Sequence, residues 1–228
     1  MCNLYSVTKG QVDVRTIFRT EHGTRNVTRA KPFAAAIVVA TATCANADEA
    51  LTLTSADVVQ GGRIAEEQVF NGGGCAGKNV SPELAWFGAP RGTKSFAVSM
   101  LGPDTGGGFL RWAKGIVLGM VNPEAPTRAG FRHWWVVNVP GETTMLPEDA
   151  GSGKGLPAGA VQLRNDFGAI GYGGPCPPRG KPHHYQFTVY ALDVNALELD
   201  QNSSAATVDS KVRQHTLAKA MLWGLYER

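Results

Sequence analysis

Three observations predict a mainly β domain that closes with a helix. Short apolar runs recur at 84–86, 96–101, 116–121, 134–139 and 185–192, separated by clusters drawn from 28 glycines, 13 prolines and several asparagines. Val208, Val212, His215 and Leu222 fall at helical spacing, and no proline follows Ser204, so residues 205–225 are expected to be mostly helical. The 181 residues from Asp48 to Arg228 suffice for one domain with a substantial core. No heptads and no low-complexity linker divide them.

The front of the chain differs from this domain. Arg29 and Lys31 supply positive charge, residues 33–43 form a small-residue apolar run, and Ala45-Asn-Ala47 ends in the small-x-small pattern of a cleavage site. Residues 27–47 are therefore expected to be a secretory signal peptide, too short to span a bilayer as a mature helix. A buried Ala/Val helix or strand is the alternative. Nothing later resembles a membrane span, and Thr41-Ala-Thr43 before Cys44 matches a lipobox poorly. The expected location is periplasmic or secreted. In front of the signal, Met1-Cys-Asn-Leu-Tyr-Ser resembles the start of the SOS-response-associated peptidase-like proteins, in which a cysteine exposed by methionine removal captures abasic DNA. The likeness ends after about 20 residues, and Cys2 without its pocket has no means of becoming a selective nucleophile. Residues 1–26 read as a leader of uncertain origin, a fusion scar or gene-model extension; a GTG codon at Val27 would start a well-formed signal peptide.

Of 22 basic and 19 acidic residues, the first 47 positions hold six and two, which leaves 16 and 17 for a nearly neutral domain. Its basic residues form no stripe, so the charge gives no support for nucleic-acid binding. Activated-nucleophile signatures are missing as well. There is no Gly-x-Ser-x-Gly and no His-Glu-x-x-His, and Gly151-Ser-Gly-Lys-Gly155 lacks the spacing of a phosphate-binding P-loop. A binding protein without catalytic residues, cofactor or metal is expected. The alternative is a hydrolase or other enzyme using His133 and Glu124 as acid and base.

Two segments suggest where binding occurs. Asn122-Pro-Glu-Ala-Pro-Thr127 leads to His133-Trp134, and Tyr172-Gly-Gly-Pro-Cys-Pro-Pro178 leads to His183-His184-Tyr185. Each sets a histidine at the mouth of an apolar strand after a rigid loop. In a regular strand, His183 and Tyr185 share one face while His184 and Gln186 take the other, which makes His184 a surface side chain. His215, on the terminal helix, is expected to pack or face solvent.

Together with Asn79-Val-Ser-Pro-Glu-Leu-Ala-Trp86, Gly92-Thr-Lys-Ser-Phe96 and Asn165-Asp-Phe-Gly168, these segments resemble the phosphatidylethanolamine-binding protein family, in its bacterial Raf-kinase-inhibitor-like branch. The resemblance runs from about Leu51 to the C-terminus. It implies a single β-rich domain over 48–228 and a pocket formed by Asn122, Glu124, Pro126, His133, Gly174, Pro177, His183 and Tyr185. The implied ligand is an anionic small molecule or phospholipid head group, and a partner kinase or hydrolase could be modulated through the pocket. Charged imidazoles would make binding weaken above about pH 7. Cys75 and Cys176 remain once the leader is gone; both lie in loops that flank the pocket in the family fold, which implies one disulfide, whereas spacing alone leaves open two thiols that never meet.

The chain departs from the family by making one passage twice. Met100-Leu-Gly-Pro-Asp104, Gly108-Phe109 and Trp112 read as a degenerate copy of Met120-Val-Asn-Pro-Glu124, Gly130-Phe131 and Trp134, with Arg111 where the second copy has His133. The second copy is taken as functional and 103–116 as an exposed insertion. The competing reading gives the pocket carboxylate to Asp104.

Overall fold

Phe96, Val98 and Met100 point one way from their strand and Ala97 points the other, and this alternation sets the layers of the molecule. The structure, a computed structural model, describes residues 50–104 and 130–228. The expected leader, signal peptide, strand 116–121 and most of the insertion, together with Asn122, Glu124 and Pro126, lie outside the described residues.

Ten strands are described: β1 (Thr52–Thr54), β2 (Asn71–Gly72), β3 (Cys75–Ala76), β4 (Leu84–Phe87), β5 (Ser95–Gly102), β6 (Phe131–Pro140), β7 (Met145–Leu146), β8 (Val161–Gln162), β9 (His183–Leu192) and β10 (Thr216–Tyr226). One helix, α1 (Ala205–His215), precedes β10, with the Ser204 side chain capping its start through the Thr207 amide. An antiparallel sheet in the order β10-β9-β5-β6-β8 forms the centre. Its first face meets the three-stranded sheet β1-β4-β7 over Leu53, Leu84, Trp86, Phe96, Trp134 and Phe187. Its second face carries Trp135, Val137 and Leu192, which pack with Val208 and Val212 of α1.

Mainly β with a helix near the C-terminus is what the sequence predicts, but the final segment differs. The helix stops at His215, and residues 216–225, expected to continue it, pair with β9 as a strand. Ala220, Leu222, Gly224 and Tyr226 are buried while Leu217 and Met221 are exposed, a period of two that the helical count passed over. Gly224 also disfavours a helix and fits a close approach: a side chain there would meet Ile64 at 2.8 Å.

The expected disulfide is present. Cys75 and Cys176 join the β2–β3 hairpin to the loop after Tyr172, across a sequence separation of 101 residues. Among the described residues, no helix is long and apolar enough to cross a membrane.

Candidate functional site

The strand β6 does not alternate regularly, and its irregularity places His133. Pairing with β5 passes from Met100↔Trp134 to Leu101↔Arg132, so His133 is skipped in the register. Such a bulge changes which way the following side chains face. Arg132 turns to the helix side, donating to the Ala205 carbonyl at 2.6 Å and to Asp209 at 3.1 Å, with its guanidinium 5.7 Å from the Trp135 ring. His133 and Trp134 both face the opposite side, against Tyr185 and Tyr172 respectively.

The loop from Asn165 to Gly174 holds this arrangement from outside. Asp166 exchanges two bonds with Arg132, accepting from its amide at 2.7 Å and donating to its carbonyl at 3.0 Å, and the Gly173 amide donates to the His133 carbonyl at 2.9 Å. His133 Nδ1–H then donates to the Gly173 carbonyl at 2.7 Å. The side chain is only 3% exposed. Burial drives its pKa down to about 4, against the upward pull of the Gly173 and Gly174 carbonyls and of Asp166. His133 is therefore a neutral imidazole near pH 7, and the expectation that it contributes positive charge does not hold. With its proton fixed on Nδ1, Nε2 is an acceptor.

From β9, Tyr185 meets the His133 ring edge-on at 5.1 Å. Burial first, then the charge of Asp104, pushes its phenol well above the usual range, which keeps the hydroxyl protonated. His183 lies on the same face of β9, and its Nδ1 is buried without a hydrogen-bond partner among the described residues. Phe131 and Phe167 pack around His133 at 4.9 and 5.5 Å, and Phe70 stacks on Phe167 at 4.3 Å. The structure thus sets His133 against Tyr185 within a wall of Phe131 and Phe167, with His183 two positions before Tyr185 on the same strand.

Gly174 and Pro177 are buried in the neighbouring loop, where the Gly174 amide donates to Asn79 at 2.8 Å. A side chain on Gly174 would come within 2.0 Å of the Gln68 carbonyl. Sequence reasoning missed Phe70 and gave no role to Phe131, Asn79 or Asn165. Asn165 accepts from the Phe167 and Ala169 amides at 3.0 and 3.1 Å and so sets the aromatic wall. The Asn165-Asp-Phe-Gly168 run is an Asx-turn signal that would have found it.

His184 departs from expectation. Its ring faces the other side of β9, as the alternation requires, but it is not a surface residue: its side chain is 14% exposed and bonds Asp104 at 2.9 Å, while its amide donates to the same carboxylate oxygen at 2.6 Å. Asp104, at the start of the expected insertion, is itself only 6% exposed, and its second oxygen is buried without a hydrogen-bond partner among the described residues. Glu124, on which the acid–base reading depends, lies outside the described residues. No group of three or more metal-ligating side chains converges among the described residues.

Comparison with known proteins adds three findings. The family model described as phosphatidylethanolamine-binding protein matches residues 54–114 and 106–227, two matches that overlap where the sequence repeats its passage. The UPF0098 proteins YbcL and YbhB of Escherichia coli strain K12 are 45% identical over 181 residues and 40% identical over 177; the alignments cover 78% of this chain with 88% of YbcL, and 77% with 99% of YbhB. The crystal structure of E. coli YbcL, described as a new member of the mammalian PEBP family, superposes with a TM-score of 0.66 at 44% identity, covering 78% of this chain and 98% of that one.

Proposed function

This chain belongs to the phosphatidylethanolamine-binding protein family, and on that premise we propose that His133, His183 and Tyr185 line a pocket that binds a phosphate-bearing or other anionic small molecule, such as a phospholipid head group, without turning it over. Family members bind ligands of this kind. The observation that carries the reading is the bulge at His133, which sets its imidazole beside Tyr185 on the face that also bears the unpartnered His183 Nδ1. Tyr185 and His183 offer donors to the anion, and Pro177 stiffens the rim. Asn122, Glu124 and Pro126 are proposed to complete it from the second copy of the repeated passage. The competing reading takes the carboxylate from Asp104 of the first copy, whose charge acts on Tyr185 while one of its oxygens bonds His184. A head group that carries both phosphate and amine satisfies the anion donors and the carboxylate together.

The proposal extends to location and partners. A disulfide at the pocket loop suits an oxidising compartment, in keeping with the expected signal peptide at 27–47, and a partner protein would be modulated through the occupied pocket.

Calorimetric titration with phosphoethanolamine tests the pocket. His183→Ala should weaken binding by roughly 1.5 to 3 kcal/mol through a lost charge-assisted hydrogen bond. Unchanged affinity in both His133→Ala and His183→Ala would place the site elsewhere, and product formation dependent on them would make the protein an enzyme.

A further inference from the structure

The surroundings of the disulfide differ from those of a bond sealed in a core. Cys75 and Cys176 are each only half-buried, and the run before Cys75 is Gly72-Gly-Gly74, which has no side chain to lay over the sulfurs. A methyl group built on Gly73 would touch Cys176 Sγ at 3.8 Å and, chain neighbours aside, nothing else among the described residues within 4 Å, so the bare backbone leaves that sulfur open on this side. One on Gly74 would crowd Arg228 Nη1 at 3.0 Å. Glycine at 74 therefore lets the guanidinium in: Nη1 donates to the Gly73 carbonyl at 3.2 Å and stands 3.6 Å from Cys75 Sγ and 3.8 Å from Cys176 Sγ. Arg228 Nε is buried without a hydrogen-bond partner, and no salt bridge holds the guanidinium among the described residues. A positive charge set over two bonded sulfurs has no anion to meet. One appears as soon as the bond is exchanged.

We propose that Cys75–Cys176 is a site of thiol–disulfide exchange, at which a dithiol is the reductant and Arg228 receives the thiolate that leaves. A thiolate of the dithiol attacks Cys176 Sγ, the sulfur left open by Gly73. A new S–S bond forms there, the Cys75–Cys176 bond breaks, and its electron pair leaves on Cys75 Sγ, the sulfur nearer Nη1. The second thiolate of the reductant then attacks its own sulfur in the mixed disulfide, which closes the reductant into a disulfide and frees Cys176. Two electrons pass to the cysteine pair, and the protons given up by the dithiol end on the two cysteines. The guanidinium makes the Cys75 thiolate a weaker base, and a weaker base leaves faster. Opening the bond unties the loop that carries Gly173 and Pro177 from the β2–β3 hairpin, so the redox state of this pair sets how firmly that loop is held. The inference is independent of what the pocket binds.

The test follows reduction of the oxidised full chain by dithiothreitol at about pH 8 without denaturant, with thiols trapped by iodoacetamide and the peptides of Cys75 and Cys176 mapped. Both cysteines of the wild type should be alkylated faster than amides along β9 exchange, and the reduced protein should show faster exchange in the loop, Gly173 included. Arg228→Gln should slow the reduction roughly 5-fold, whereas Arg228→Lys, which keeps the charge, should slow it less. Equal rates in all three, or a lysine variant as slow as the glutamine one, would overturn the role given to the guanidinium. A bond that dithiothreitol reaches only as β9 exchanges would overturn the exchange site itself. Should Arg228→Gln fail to fold, that comparison on the wild type decides alone.

Discussion

Strands β6 and β9 carry the histidines of the candidate site by opposite means. β9 is regular from His183 to Leu192, so period-two alternation puts His183 and Tyr185 on one face and His184 on the other. β6 breaks its register twice. At His133 the bulge turns two successive side chains, His133 and Trp134, to the same face. Near Asn138, whose φ is 58°, the phase changes again so that Val139 joins Val136 in the core, while the Asn138 side chain braces Leu197 through bonds of 2.7 and 3.2 Å. A side chain in the regular strand is positioned by its neighbours in the sheet. One at a bulge depends on whatever satisfies the backbone from outside, here the loop that carries Asp166 and Gly173.

That dependence can be broken. Replacing Cys75 and Cys176 by serine releases the outer loop from the β2–β3 hairpin, and closing a loop of about 100 residues contributes roughly 4 to 5 kcal/mol in the chain-entropy estimate. Chemical denaturation should register a loss approaching that size. Proteolysis or amide exchange on the same variant should show the loosening at His133 and Gly173 rather than along β9. Uniform loosening of both strands would contradict the division between them.

Acid should expose the buried imidazole next. His133 has a folded pKa of about 4 against an ordinary value near 6.5, so the unfolded chain binds its proton first. Its contribution is fully present above pH 6.5 and is lost as the pH falls through the window from 6.5 to 4, by about 3 kcal/mol in all. Unfolding free energies measured across that window should fall in the wild type and stay flatter in His133→Gln. Parallel slopes would mean that His133 titrates normally.

A smaller effect is expected at His184. Although it faces away from His183, it holds the buried Asp104 carboxylate, so His184→Ala should cost about 1 to 2 kcal/mol by leaving that group short of a partner. A midpoint shift in urea reports it. His215 bonds Asp193 at 2.9 Å in a much more exposed pair, and His215→Ala should change stability by less than about 1 kcal/mol and leave binding untouched.

Legibility in the sequence follows the same division. The alternating runs at 84–86, 96–101, 134–139 and 185–192 gave the strands, and the face shared by His183 and Tyr185 could be counted off directly. The terminal segment was misjudged because Val208, Val212, His215 and Leu222 fit a helix, while the burial of Ala220, Leu222, Gly224 and Tyr226 depends on β9 lying alongside. Neutral His133 could not be read either: its low pKa comes from burial and its tautomer from the Gly173 carbonyl, 40 positions away and brought near only by folding. The same holds for His184, whose partner Asp104 is 80 positions distant.

Nitrogen-15 NMR of the imidazole rings, followed from pH 4 to pH 8 with and without phosphoethanolamine, bears most directly on the account. It predicts that His133 stays neutral and protonated at Nδ1 down to about pH 4, and that saturating ligand shifts the rings of His133 and His183 but not that of His215. A His133 that titrates near pH 6.5, carries its proton on Nε2, or is indifferent to bound ligand would contradict it.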